Sequence, residues 1–109
     1  MTKTLLAMVT EVLDDKKGQQ IEVIDVHNKC SFADHMVIVS GSSSRHVKSL
    51  ANEVSMTSKK SGLIPLGIEG MDAGEWVLVD LGDTLVHVMQ PKIRDFYQLE
   101  KLWSVEAEA

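Results

Sequence analysis

A mixed-sheet domain of the α/β or α+β class is what this sequence predicts, and three observations predict it. Residues 76–89, WVLVDLGDTLVHVM, carry two apolar runs on either side of a Gly-Asp pair, the pattern of an antiparallel hairpin. Two more runs rich in β-branched residues, 21–26 and 36–39, read as strands. Three segments with apolar residues at helical spacing alternate with them. The order is helix, strand, strand, helix, short strand, hairpin, helix. Such an order gives a mixed β-sheet with the helices mainly on one face and the other face available.

Residues 4–16 place Leu5, Met8, Val9, Val12 and Leu13 on one helical stripe, with Gly18 as the stop. Ile21 to Val26 follows as a strand, His27-Asn28-Lys29 as a turn, and residues 30–34 as irregular chain. Met36 to Val39 is a short buried strand. A serine of Gly41-Ser42-Ser43-Ser44 then caps a second helix carrying Val47, Leu50, Ala51, Val54 and Ser58, which Gly62 ends. Residues 63–68, LIPLGI, form a loop that leads into a short edge strand, because Pro65 restricts the residue before it. Gly70 to Gly74 is a turn. Pro91 suits the first turn of a closing helix in which Phe96, Leu99, Leu102 and Trp103 recur at helical spacing. The domain is expected to span 1–103, with 104–109 a frayed tail.

Within the hairpin, Gly82 supplies the positive φ of a type II′ turn, and Val79 then pairs with Val86 and Val77 with Val88. The period of two puts Val77, Val79, Leu81, Val86 and Val88 on a core face. Trp76, Leu78, Asp80, Leu85, His87 and Met89 share the other. A sheet interior rarely accepts an unpartnered carboxylate and imidazole, so this second face is expected to be partly exposed. Its contiguous apolar groups mark a partner site rather than decoration, with a helix packed over the face as the main rival reading.

At 109 residues the chain suits one domain, able to bury roughly two-thirds of its unfolded surface. Hydrophobic content of 44% and charged content of 25% are those of a soluble globular protein. The net charge of −5 argues against nonspecific nucleic-acid or acidic-membrane binding and leaves a basic partner open. A single cysteine, Cys30, rules out an internal disulfide framework and fits a reducing compartment. With no transmembrane-length stretch and no signal-peptide core, a cytosolic location is expected.

Enzymatic readings weaken on inspection. The strand–Gly-Ser-Ser-Ser-Arg–helix junction at Gly41–Arg45 offers backbone N–H groups to an anion, yet no P-loop and no GxGxxG accompanies it, and a capping turn accounts for it better. Metal-dependent nucleotidyl transfer needs two carboxylates two residues apart on one strand; two past Asp80 stands Gly82. His27 and Cys30 are three apart, but a structural zinc site needs about four ligands, and His35, His46 and His87 show no second paired spacing. Ser42–Ser44, His46 or His87, and Asp34 or Asp80 compose a triad only on paper, without a nucleophile elbow. Phe96, Tyr97 and Trp103 read as core and rim rather than a ligand cage. No catalytic residue, metal or cofactor is expected. A nucleotide-binding or nucleotidyltransferase-like enzyme using the Gly41–Arg45 turn is the alternative, and a homodimer formed through the apolar hairpin face is a third reading.

Residues 33–54 (ADHMVIVSGSSSRHVKSLANEV), 65–70 (PLGIEG), 75–89 (EWVLVDLGDTLVHVM) and 96–103 (FYQLEKLW), in that order, closely resemble the Iojap/RsfS ribosomal silencing factor family across about residues 3 to 103. The resemblance implies a small domain with nucleotidyltransferase-like topology but no such activity. It implies binding to the fourteenth protein of the large ribosomal subunit, obstruction of subunit joining, reduced translation when nutrients are scarce, and a link to late large-subunit assembly. Carried onto this chain, the family motifs single out Asp34, Leu66, Gly67, Gly70, Trp76, Asp80, Asp83, His87 and Tyr97, with Gly67 and Gly70 open to a purely backbone role. In the expected mode of docking, Trp76, Leu66, Leu85 and Met89 supply apolar anchors, while Asp34, Asp80 and Glu69 meet basic side chains of the partner.

Overall fold

The computed structural model describes residues 4–29, 31 and 33–101. In chain order these form α1 (Leu5–Asp15), β1 (Gln19–Asp25), β2 (His35–Ser40), α2 (Ser44–Lys60), β3 (Gly67–Glu69), β4 (Trp76–Asp80), β5 (Thr84–Met89) and α3 (Pro91–Tyr97). The five strands make one mixed sheet in the order β1-β2-β5-β4-β3. Only β2 and β5 pair in parallel; the other neighbours are antiparallel.

Local chemistry explains the boundaries. Thr4 caps α1, its hydroxyl accepting the Ala7 N–H at 3.1 Å. Ser43 caps α2 in the same way, through the His46 N–H at 3.1 Å. Gly18 follows α1 for want of room rather than for its φ: a Cβ there would stand 2.7 Å from Val39 Cγ2 and 2.8 Å from the Leu13 carbonyl oxygen. Pro91 opens α3 as the first-turn rule expects. The continuous closing helix is corrected, however. Gln98 turns left-handed (φ 50°), and α3 stops at Tyr97. Phe96, expected in core or rim, is 77% exposed. Cys30, Leu102, Trp103 and the 104–109 tail lie outside the described residues.

One sheet face is covered by α1 and α2. Val9 and Leu13 from α1, with Val47, Leu50, Ala51 and Val54 from α2, pack on Val37, Val39, Val77, Val79, Val86 and Val88. The hairpin register is the expected one, Val77 opposite Val88 and Val79 opposite Val86, with Gly82 at φ +90° in the turn. The opposite face is only partly open. Ile24, Val26, Ala33, Met36, Ile38, Leu85 and Met89 form a second apolar cluster there, joined by Ile93, Leu99, Trp76 and Leu78. Buried Arg94 fastens α3 over this face. Its guanidinium donates to Glu100 at 3.0 Å and to Ser40 Oγ at 2.9 Å, and lies 3.7 Å from Glu22. Among the described residues no helix is long and apolar enough to cross a membrane.

Candidate functional site

The second hairpin face divides along the sheet. Strand β5 is central, paired on both edges, and every one of its residues is buried. Strand β4 is flanked on its outer edge only by the three-residue β3, and Trp76, Leu78 and Asp80 alternate half-exposed along it. The expectation of a partly open face therefore holds for β4 and fails for β5. Met89 is fully buried and Leu85 nearly so, packed beneath the second cluster. Neither side chain is open to solvent in this conformation, because residues outside the hairpin, among them Val26, Ala33 and Ile93, pack in the same cluster.

His87 keeps the cross-strand neighbour that the expected register gives it. It sits opposite Leu78, while Asp80 sits opposite Leu85. One of its ring nitrogens is engaged by Trp76, whose indole N–H donates to His87 Nδ1 at 3.0 Å, the rings 5.9 Å apart and tilted by 46°. Burial, with no charged partner, pushes the imidazole down to about pKa 4, since desolvation penalises the cation. The ring is thus neutral at neutral pH and serves as an acceptor for the tryptophan.

Trp76 leans on Tyr97 as well, with ring centroids 4.8 Å apart, and Phe96 meets Tyr97 edge-on at 5.0 Å. The last turn of α3 thus continues the aromatic surface from Trp76 through Tyr97 to Phe96. Beside Trp76 lies a groove of about 210 Å³ lined by Glu69, Gly70, Trp76, Leu78 and His87. Gly70 is required there. It has φ +92°, and a Cβ would fall 2.1 Å from the Trp76 carbonyl oxygen. Gly67 has no such requirement, as a Cβ there meets nothing within 4 Å.

The remaining expected residues gather at the other end of the hairpin, about 13 Å from Trp76 along β4 at the rise of a strand. Asp80 accepts the Gly82 N–H at 2.9 Å and so shapes the turn. Leu66 is 73% exposed, its N–H donating to the Asp80 carbonyl at 2.7 Å, with Gly67 opposite Asp80. Exposed Asp34 donates its N–H to the Asp83 carbonyl at 2.8 Å. The structure thus sorts the expected set into an aromatic end (Glu69, Gly70, Trp76, His87, Tyr97) and an acidic turn end (Asp34, Leu66, Gly67, Asp80). The exposed Phe96, read from the sequence as core or rim, belongs with the first; its place beside Tyr97 depends on where α3 lands.

The enzymatic alternatives find little support in the geometry. At the Gly41–Arg45 turn, Ser43 is the cap, and a Cβ on Gly41 would press to 2.9 Å against Val47. His46 Nδ1 accepts the Ser42 N–H at 2.9 Å, with Ser42 Oγ at 3.2 Å, and its Nε2 meets the Lys16 carbonyl at 3.0 Å. Both ring nitrogens are thereby engaged with backbone, tying α2 to the end of α1. His27 hydrogen-bonds exposed Asp25, which raises the histidine and lowers the carboxyl. Among the described residues no group of three or more His, Cys, Asp or Glu is placed to hold a metal.

Comparison with known proteins converges on one family. A family model described as "Ribosomal silencing factor during starvation" matches residues 1–109. The ribosomal silencing factor of Chromobacterium violaceum is 45% identical over 96 residues, covering 88% of this chain and 79% of that protein. The one from Haemophilus influenzae is 43% identical over 100 residues, covering 92% and 98%. A mouse protein named for mitochondrial assembly of the ribosomal large subunit is 35% identical over 103 residues, covering 92% of this chain and 45% of that protein. A crystal structure from Chromobacterium violaceum superposes with a TM-score of 0.90 at 43% identity, covering 92% of this chain and 83% of that one. One from Bacillus halodurans gives 0.82 at 34% identity, covering 91% and 92%.

Proposed function

Since the chain belongs to the ribosomal silencing factor family, we propose that it binds the large ribosomal subunit through that subunit's fourteenth protein and sterically blocks subunit joining. Translation is thereby repressed under nutrient limitation, and the same contact serves late large-subunit assembly; the mouse relative is named for mitochondrial assembly of the large subunit. The observation that carries the reading is a half-exposed tryptophan at a sheet edge, extended by exposed Tyr97 and Phe96 and rimmed by Glu69. Aromatic anchors of this kind dominate interface energetics, and an acidic rim suits a basic ribosomal protein. The net charge of −5 disfavours RNA as the main contact. Action by occupancy needs no chemistry; its strength follows affinity and concentration.

The test is cosedimentation of the chain with isolated large and small subunits in sucrose gradients. Comigration with the large subunit alone, and fewer joined ribosomes on mixing, is expected. Trp76→Ala should weaken that binding by about 2 kcal/mol or more, a hot-spot loss. Unchanged cosedimentation of a Trp76→Ala variant that is folded by circular dichroism removes the docking surface from the proposal.

A further inference from the structure

His87 holds a hydrogen-bond donor for which the described residues supply no acceptor. Its Nδ1 accepts the Trp76 indole N–H at 3.0 Å, so in the neutral ring the proton sits on Nε2. Nε2 is buried and, among the described residues, has no hydrogen-bond partner, in a residue only 8% exposed. Native structures hold few such atoms, since a buried donor without an acceptor is costly. The ring forms one wall of the groove shared with Glu69, Gly70, Trp76 and Leu78. Two of those walls, Trp76 and Leu78, are half-exposed side chains, and Tyr97, which leans on Trp76, is 51% exposed. These side chains can re-pack when a partner presses on them, whereas the strand beneath is held from both edges.

The charges say which acceptor fits. Glu69 is exposed at the groove, and the whole chain is acidic, so an incoming carboxylate is repelled. A neutral carbonyl is not. We propose that the groove is a subsite for a main-chain carbonyl of the docked partner, which accepts from His87 Nε2–H as Trp76 and Leu78 give way, while Glu69 pairs with a basic side chain next to that carbonyl. Desolvation of the imidazole keeps it neutral at neutral pH, which leaves one ring nitrogen for Trp76 and one for the partner. The inference rests on the docking reading above and makes His87 a specificity-determining residue rather than a buried support for Trp76.

The experiment compares wild type, His87→Asn, His87→Gln and Trp76→Ala, as full chains, for affinity to isolated large subunits. An asparagine carbonyl reaches the position of Nδ1 and can still take the Trp76 N–H, but it stops short of Nε2. A glutamine amide reaches the position of Nε2 and keeps a donor there. His87→Asn is expected to lose about tenfold or more in affinity while His87→Gln stays within about threefold. Equal binding by the two variants, whether retained or lost, overturns the inference, since a purely structural role does not distinguish them. Should His87→Asn fail to fold, histidine nitrogen NMR of wild type decides. The Nε2–H resonance moves downfield on adding the isolated large-subunit protein, and an unmoved resonance in the saturated complex overturns the subsite. A weakened Trp76→Ala beside an unaffected His87→Asn removes the carbonyl subsite alone. When neither weakens, the docking reading itself falls.

Discussion

Lowering the pH should unfasten Trp76 by way of His87, and the structure sets how much stability is at stake. The imidazole is buried, its pKa pushed down to about 4 by desolvation, against 6.5 for the unburied side chain. Between those values the unfolded chain binds the proton and the folded chain refuses it. The contribution is therefore complete above 6.5, falls as the pH drops through 6.5, and is gone by 4. At 1.36 kcal/mol per pKa unit the whole window is worth about 3 kcal/mol, and at pH 5 about 2 kcal/mol has been lost. A domain of this size has a total of only about 5–15 kcal/mol, so the effect is measurable. Urea unfolding at pH 7.5 and 5.0 for wild type and for His87→Gln, which does not titrate at this position, isolates the term. The carboxylates, and the His27–Asp25 pair with its raised histidine, change alike in both proteins and cancel. Wild type should lose about 2 kcal/mol more than the variant. Identical pH dependence in the two proteins, or an imidazole that titrates near 6.5 by NMR, would refute the argument that burial alone governs this group.

Three further outcomes are expected. Affinity for large subunits should fall as salt is added, through screening of acidic–basic pairs at the rim; a flat salt response would indicate an apolar interface instead. Gly70→Ala should destabilise by roughly 2–4 kcal/mol, from its left-handed φ and the 2.1 Å approach to the Trp76 carbonyl oxygen. Gly67→Ala, with open space around it, should stay within about 1 kcal/mol, and equal urea midpoints for the two would contradict this account of Gly70. Arg94→Met should cost about 2 kcal/mol, less than a fully buried ion pair because Glu22 and Glu100 are partly exposed. Its first sign should be faster amide exchange in α3, where Arg94 ties the helix to Ser40; unchanged exchange would mean that apolar packing alone holds α3.

Element types and their order were legible because each rests on local chemistry. The serine cap of α2, Gly82 in the hairpin turn and Pro91 at the head of α3 all act within a few residues; the structure has Gly82 and Pro91 where the sequence places them and picks Ser43 from the three serines as the cap. The stop at Gln98 was less legible, since a non-glycine residue in the left-handed region carries no sequence mark. The candidate site was legible in part. Trp76 was found as an apolar group on the non-core face. Leu85 and Met89 were assigned to the same surface by the same period of two, and the structure buries them.

The period of two determines which side of a strand a residue occupies, and the sequence alone settled that for the whole hairpin, register included. What covers each side is a non-local matter. The parallel pairing of β5 with β2, the packing of Val26, Ala33 and Ile93 over its far face, and the reach of Arg94 back to Ser40 join segments separated by up to dozens of residues. Those contacts leave no periodic trace along the chain. They alone decide that β5 is interior while β4, bordered only by the short β3, keeps Trp76 half-exposed above the buried histidine that accepts its N–H.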